Sequence, residues 1–136
     1  MQIKIGLIRN LPHIRSSVEL LVIIMIKEIT IRDFFSFRGE HTIKLNSGVN
    51  LLLGVNGSGK TSFLNAITVL YEGIVGNGLS DLFRQWGSYA SIVNACGEDR
   101  PDCFSLSYVF DATELKKLVP SSPFQYDVHY KITVFP

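Results

Sequence analysis

The stretch Gly54-Val55-Asn56-Gly57-Ser58-Gly59-Lys60-Thr61 decides how the chain is read, because it fits the phosphate-binding loop pattern G-x-x-x-x-G-K-[ST]. The chemistry explains the spacing. Glycines let the backbone turn tightly and expose successive N–H groups to phosphate oxygens. A helix starting near Lys60 aims its positive end at the same anion. Lys60 is expected to reach the β- and γ-phosphates, and the Thr61 hydroxyl to ligate Mg²⁺. Gly54 opens the loop, and Asn56, Gly57, Ser58, Gly59, Lys60, Thr61 and Ser62 are expected to supply the N–H cradle. The bland alternative is a glycine-rich turn with a solvated lysine, but such a turn needs neither Lys60 nor Thr61 at these offsets.

The flanks suit the loop. Val49-Asn50-Leu51-Leu52-Leu53 is a near-continuous apolar run, which predicts a strand buried on both faces. After the loop, Phe63, Leu64, Ala66, Ile67, Leu70 and Tyr71 recur at helical spacing, predicting a helix over 61–72 with Gly73 as its stop. Strand, loop and helix in that order are what a phosphate-binding loop requires.

Further out, Ile29 and Ile31 alternate with Thr30 and Arg32, and Thr42 to Leu45 alternate again. With the turn residues Phe34-Phe35-Ser36-Phe37-Arg38-Gly39 between them, they predict an antiparallel hairpin of 26–33 with 40–45. Asn46-Ser47-Gly48 is a second turn. From Gly73 to Pro101 the pattern weakens, with Ser80 placed to cap a short helix over 81–85. Phe104, Leu106, Tyr108 and Phe110 alternate, as do Tyr126, Val128, Tyr130, Ile132 and Val134, predicting a hairpin of 103–110 with 125–135. A helical turn over 111–118 lies between them, ended by Pro120 and Pro123.

Composition sets the outer limits. The chain has 136 residues, enough for one cored domain, and a net charge of +1. That charge provides no global basic field to draw nucleic acid. Lys27, Arg32, Arg38 and Lys44 form at most a modest patch, more simply read as a solvated strand face. Charged residues make up 18%, below the roughly 25% of average domains, so apolar surface is either deeply buried or meant to be covered. Cys96 and Cys103 fit no zinc pattern and read as reduced thiols. The longest apolar run, Leu20 to Ile26, is far short of the roughly 20 residues of a membrane helix. Glu19 and Lys27-Glu28 around it argue against a secretory signal. The segment beginning Met25-Ile26-Lys27-Glu28 opens like a natural start, so residues 1–24 are expected to be an upstream extension outside the fold, with 25–136 the functional domain.

Residues 25–62 resemble the N-terminal segment of ABC-type ATPases of the SMC/RecF group. That group opens with a strand, a Phe-x-Ser-Phe turn, a second strand and a G-x-N-G-S-G-K-[ST] loop. Phe34-Phe35-Ser36-Phe37 and Gly54–Thr61 match in that order, and Asn65-Ala66-Ile67 resembles the helix that follows. The later hairpin resembles the antiparallel strands of the same lobe, and the glycine-rich middle resembles standalone AAA/OLD-like ATPases. The resemblance implies an α/β fold: a P-loop NTPase N-terminal lobe, strand–P-loop–helix with antiparallel hairpins, forming an incomplete head domain. It also implies ATP and Mg²⁺ as cofactors, a cytoplasmic location, and a role in DNA repair, chromosome maintenance or phage defence. One position departs from the group: Phe35 stands where a basic residue commonly approaches phosphate, with Arg38 or Arg32 as possible substitutes.

Hydrolysis needs more than a phosphate cradle. A Walker B acidic pair after an apolar strand is missing; Val109-Phe110-Asp111 is the nearest candidate, with one acid only. Leu79-Ser80-Asp81 is a poor imitation of an ABC signature, and neither Gln85 nor Gln125 fits the glutamine loop. No catalytic residue is assigned. The chain therefore reads as an N-terminal lobe ending before the catalytic half, whose partners would be ATP, a C-terminal lobe or a second head in a nucleotide-sandwiched dimer, and DNA through the full protein, with no membrane. Two other readings stay open: a complete small P-loop kinase, for which Arg84 and Arg100 are the only lid arginines, and a non-catalytic ATP-dependent module binding DNA or protein.

Overall fold

The computed structural model describes residues 2–6, 25–74, 78–95, 100–121 and 123–136. The Ile29/Ile31 alternation forms a strand that pairs with Phe37–Lys44, as the hairpin reading predicts. In chain order the elements are β1 (Gln2–Gly6), β2 (Ile26–Phe34), β3 (Phe37–Lys44), α1 (Lys60–Ile74), α2 (Leu79–Trp86), α3 (Tyr89–Ile92), β4 (Phe104–Phe110), α4 (Ala112–Leu118) and β5 (Val128–Phe135). The five strands make one sheet in the order β1-β5-β4-β2-β3, every pairing antiparallel.

The register lays apolar side chains in rows. Ile29 sits opposite Ile43 on one side and Tyr108 on the other; Leu106 sits opposite Ile31 and Ile132. α1 covers this surface with Phe63, Ala66, Val69 and Leu70, all buried. Each large apolar side chain removed from water contributes about 1.5–3 kcal/mol, so this seam dominates the stability of the lobe. α2 and α3 add Leu79, Phe83 and Ile92 to the same core.

Several boundaries differ from expectation. Gly73 does not stop α1, which runs to Ile74. A Cβ on Gly73 would lie 2.9 Å from the Tyr130 hydroxyl, so glycine serves a close approach rather than a helix end. α2 starts at Leu79 after Gly78, leaving Ser80 inside it instead of capping it. β5 begins at Val128, and Tyr126 stands 82% exposed before it.

Two larger corrections concern the predicted frame. The run Val49–Leu53 is not a doubly buried strand. It is unpaired, and Val49, Leu51, Leu53 and Val55 are 93%, 78%, 80% and 80% exposed. A strand buried on both faces needs neighbouring strands and covering helices, and none of the described strands pairs with it. At the other end, the sequence reading puts residues 1–24 outside the fold, yet Gln2–Gly6 pairs with Lys131–Phe135 and adds the edge strand β1. An exposed strand edge is a ready template for such pairing. The apolar run from Leu20 lies mostly outside the described residues.

Candidate nucleotide-binding site

The loop is delivered by a turn and a helix. After β3, Asn50 closes the Asn46-Ser47-Gly48 turn: its Oδ1 accepts from the Asn46 N–H at 2.8 Å and its Nδ2 donates to the Asn46 carbonyl at 2.9 Å. The chain then runs extended through Leu53 into the loop, and α1 begins at Lys60. The first intrahelical bond runs from the Phe63 N–H to the Gly59 carbonyl at 2.9 Å. The N–H groups of Lys60, Thr61 and Ser62 precede it and have no helical acceptor. They make an anion-seeking end.

Lys60 closes the loop. Its ammonium donates to the carbonyls of Gly54 at 2.6 Å and Val55 at 2.7 Å, and lies 3.4 Å from the Ser58 hydroxyl. Both ends of the loop are thereby drawn around one cation. Gly57 and Gly59 have φ of +84° and +90°, which side-chain-bearing residues rarely adopt. A Cβ on Gly54 would collide with the Ser58 hydroxyl. Asn56 and Gly57 form the exposed tip, and the Thr61 side chain is exposed. The donor set suits a polyphosphate: one ammonium, a row of helix-end N–H groups and an open hydroxyl where a magnesium ligand is expected.

Two expected cradle members have other engagements. The Ser58 N–H donates to the Val55 carbonyl at 3.2 Å, closing a turn within the loop. Ser62 keeps its helix-end N–H, but its side chain is buried and faces the β2–β3 turn: its hydroxyl accepts from the Ser36 hydroxyl at 2.7 Å and from the Ser36 N–H at 3.3 Å.

That turn is where sequence reasoning missed most. Asp33 and Phe35 both have positive φ, +52° and +47°. Asp33 is understandable: it sits at a bulge, and its carboxylate accepts from the Gly39 N–H at 2.7 Å. For a side chain as bulky as phenylalanine the conformation is strained. It is held by packing, with the ring 4.7 Å from Phe34 and 5.4 Å from Trp86, and by the Phe35 N–H donating to the Ile92 carbonyl at 2.7 Å. Phe35 is thus a packing residue against α2 and α3, not a phosphate contact. No single-residue signal in the sequence announces this conformation.

The remaining candidates fall into structural roles. Asp111 caps α4, its carboxylate accepting from Thr113 and Glu114 N–H groups, which holds its pKa below the usual carboxylate value. Leu79, Ser80, Asp81 and Gln85 lie in α2, and Gln125 is exposed in the loop before β5. The basic patch is laced with acids. Lys27 pairs with Asp127, which is held below its usual value chiefly by that lysine, and Arg32 lies 3.4 Å from Asp33. In the ladder Arg32 and Lys44 stand opposite Glu40 and Glu28. Cys103 is a free thiol, while Cys96 lies outside the described residues. Among the described residues there is no cluster of metal-ligating side chains, and no helix is long and apolar enough to cross a membrane.

An AAA-domain family model matches residues 28–93. The DNA double-strand break repair Rad50 ATPase of Archaeoglobus fulgidus is 41% identical over 51 residues, covering 38% of this chain and 6% of Rad50. A solved structure of an SMC ATPase, a group described there by ATP-driven dimerization and DNA-stimulated activation, superposes with a TM-score of 0.64 at 19% identity. It covers 82% of this chain and 64% of the SMC chain, so the chain spans less than two thirds of either relative. The chain is thus similar in sequence to an AAA domain and to a short part of Rad50, and similar in fold to part of an SMC ATPase.

Proposed function

We propose that the chain binds Mg-ATP through Gly54–Ser62 and acts as the N-terminal part of an ATPase head working in DNA repair or chromosome maintenance. The carrying observation is the closure of the loop by Lys60 onto the Gly54 and Val55 carbonyls at the start of α1. That arrangement leaves helix-end N–H groups and the Thr61 hydroxyl to meet phosphate and magnesium. Bound magnesium would neutralise charge on the β- and γ-phosphates; the residues of this chain bind and orient, and none is assigned to activate water. Turnover by this chain alone is therefore expected to be negligible.

The likeness to Rad50 and to an SMC ATPase supports a cytoplasmic, DNA-associated role for the complete assembly. The exposed row Val49, Leu51, Leu53 and Val55 supports a further lobe or a second head as partner, since an apolar strand beside a phosphate loop is costly to leave in water. The acids beside Lys27, Arg32 and Lys44 favour this over direct DNA binding by the described strands. Titrating Mg-ATP into the chain tests the reading. Weak binding that falls about tenfold or more in Lys60→Ala is expected, as for loss of a charge-assisted contact. Equal affinity in both proteins refutes it.

A further inference from the structure

The β2–β3 turn touches the phosphate loop at two places. Ser36 donates its hydroxyl to Ser62 at 2.7 Å and its N–H to the same oxygen at 3.3 Å. The turn also crowds Gly59: a Cβ there would lie 3.1 Å from the Ser36 hydroxyl and 3.6 Å from the Phe37 ring. The turn itself is rigid on its far side. Phe35 is locked at φ +47° between Phe34 and Trp86, and its backbone is bonded to Ile92. Ser36 is thus held by a strained, core-anchored backbone and set against the residue that follows Thr61.

We propose that Ser36 is a positioning residue for the phosphate loop: by holding the Ser62 hydroxyl it sets the first turn of α1 so that Thr61 meets a nucleotide-bound magnesium ion. This rests on the ATP-binding reading above. Ser36 touches neither nucleotide nor metal; it acts through Ser62. The relevant physical term is orientation. A hydroxyl that must complete an octahedral magnesium shell at about 2.0–2.1 Å tolerates little displacement. A contact at Ser62 fixes the helical turn to which Thr61 belongs.

The consequence is a split that simple loss of stability does not produce. In Ser36→Ala the affinity for ATP in magnesium should fall about three- to tenfold, the usual cost of a lost hydrogen bond. Its affinity for ATP in EDTA should stay near that of the unchanged chain, because the N–H cradle and Lys60 are intact. Ser36→Thr, which keeps the hydroxyl, should restore the magnesium-dependent gain. Affinities are measured with ATP with and without magnesium, at a temperature where thermal melts show every variant folded, with Lys60→Ala alongside. Equal losses with and without magnesium in Ser36→Ala, no loss at all, or failure of Ser36→Thr to restore the gain overturns the positioning role. Lys60→Ala distinguishes the two levels: if it binds as tightly as the unchanged chain, or if the unchanged chain binds no ATP, the binding reading itself falls and the positioning role with it.

Discussion

The Tyr108 hydroxyl donates to the Ala66 carbonyl at 2.6 Å, tying the middle of β4 to the helix that begins at Lys60. Tyr108 is fully buried, and burial pushes its pKa well above the usual phenol value. The bond joins the sheet to the phosphate-loop helix without touching the loop. Tyr108→Phe should therefore lower stability by about 1 kcal/mol while leaving ATP affinity within about twofold. Denaturant unfolding and nucleotide titration on the same samples check this; a large loss of affinity with little loss of stability contradicts it.

Gly57 and Gly59 separate backbone strain from packing. Both have positive φ, but a Cβ at Gly57 meets nothing within 4 Å, whereas one at Gly59 meets Ser36 at 3.1 Å. Gly57→Ala should cost about 1–2 kcal/mol from the backbone alone. Gly59→Ala should cost about 1 kcal/mol more, because the β2–β3 turn must shift. Equal unfolding midpoints for the two variants mean that the turn does not press on the loop.

Gly73 sets two effects of opposite sign against each other. Alanine gains up to about 1 kcal/mol over glycine in a helix interior, and less at a position like Gly73, one residue before the end of α1. Here the new Cβ would meet the Tyr130 hydroxyl at 2.9 Å, and crowding of that kind costs about 1–3 kcal/mol. Gly73→Ala should therefore destabilise the chain. The Tyr130 hydroxyl is also buried without a hydrogen-bond partner among the described residues. Tyr130→Phe should stabilise by removing it, and should rescue Gly73→Ala in the double variant. Thermal melts of the three proteins decide.

Acid should weaken the lobe through Asp111 and Asp127. Thr113 and Glu114 N–H groups hold Asp111 below the ordinary carboxylate value, and Lys27, then the Ala112 N–H, do the same for Asp127. Carboxylates with lowered native pKa values stabilise the fold above their unfolded value, near 4. The contribution is lost as pH falls through the lowered native value. Asp111→Asn keeps a helix cap but cannot titrate. Its melting temperature should decline less steeply than that of the unchanged chain between about pH 5 and pH 2. Parallel curves would show that Asp111 makes no such contribution.

The sequence alone determined the parts whose physics is local. Glycine, lysine and threonine at set offsets follow the phosphate-loop pattern, and positive φ at Gly57 and Gly59 and the Lys60 contacts to Gly54 and Val55 fall within that short stretch. The alternations around Ile29, Leu106 and Ile132 mark strands because side chains in a strand take turns on two faces. Tertiary structure decided the rest. Val49–Leu53 has the composition of a buried strand, yet burial is a property of neighbours, and no described strand adjoins it. Gln2–Gly6 alternates apolar Ile3 and Ile5 with polar Gln2 and Lys4, but only its pairing with β5 shows which sheet edge it joins. The Ser36–Ser62 contact joins residues 26 positions apart, and Ser36 follows directly on the left-handed Phe35 of the β2–β3 turn. Whether such a turn is held depends on the packing energy of Phe34 and Trp86, a sum over the folded core that no local pattern records.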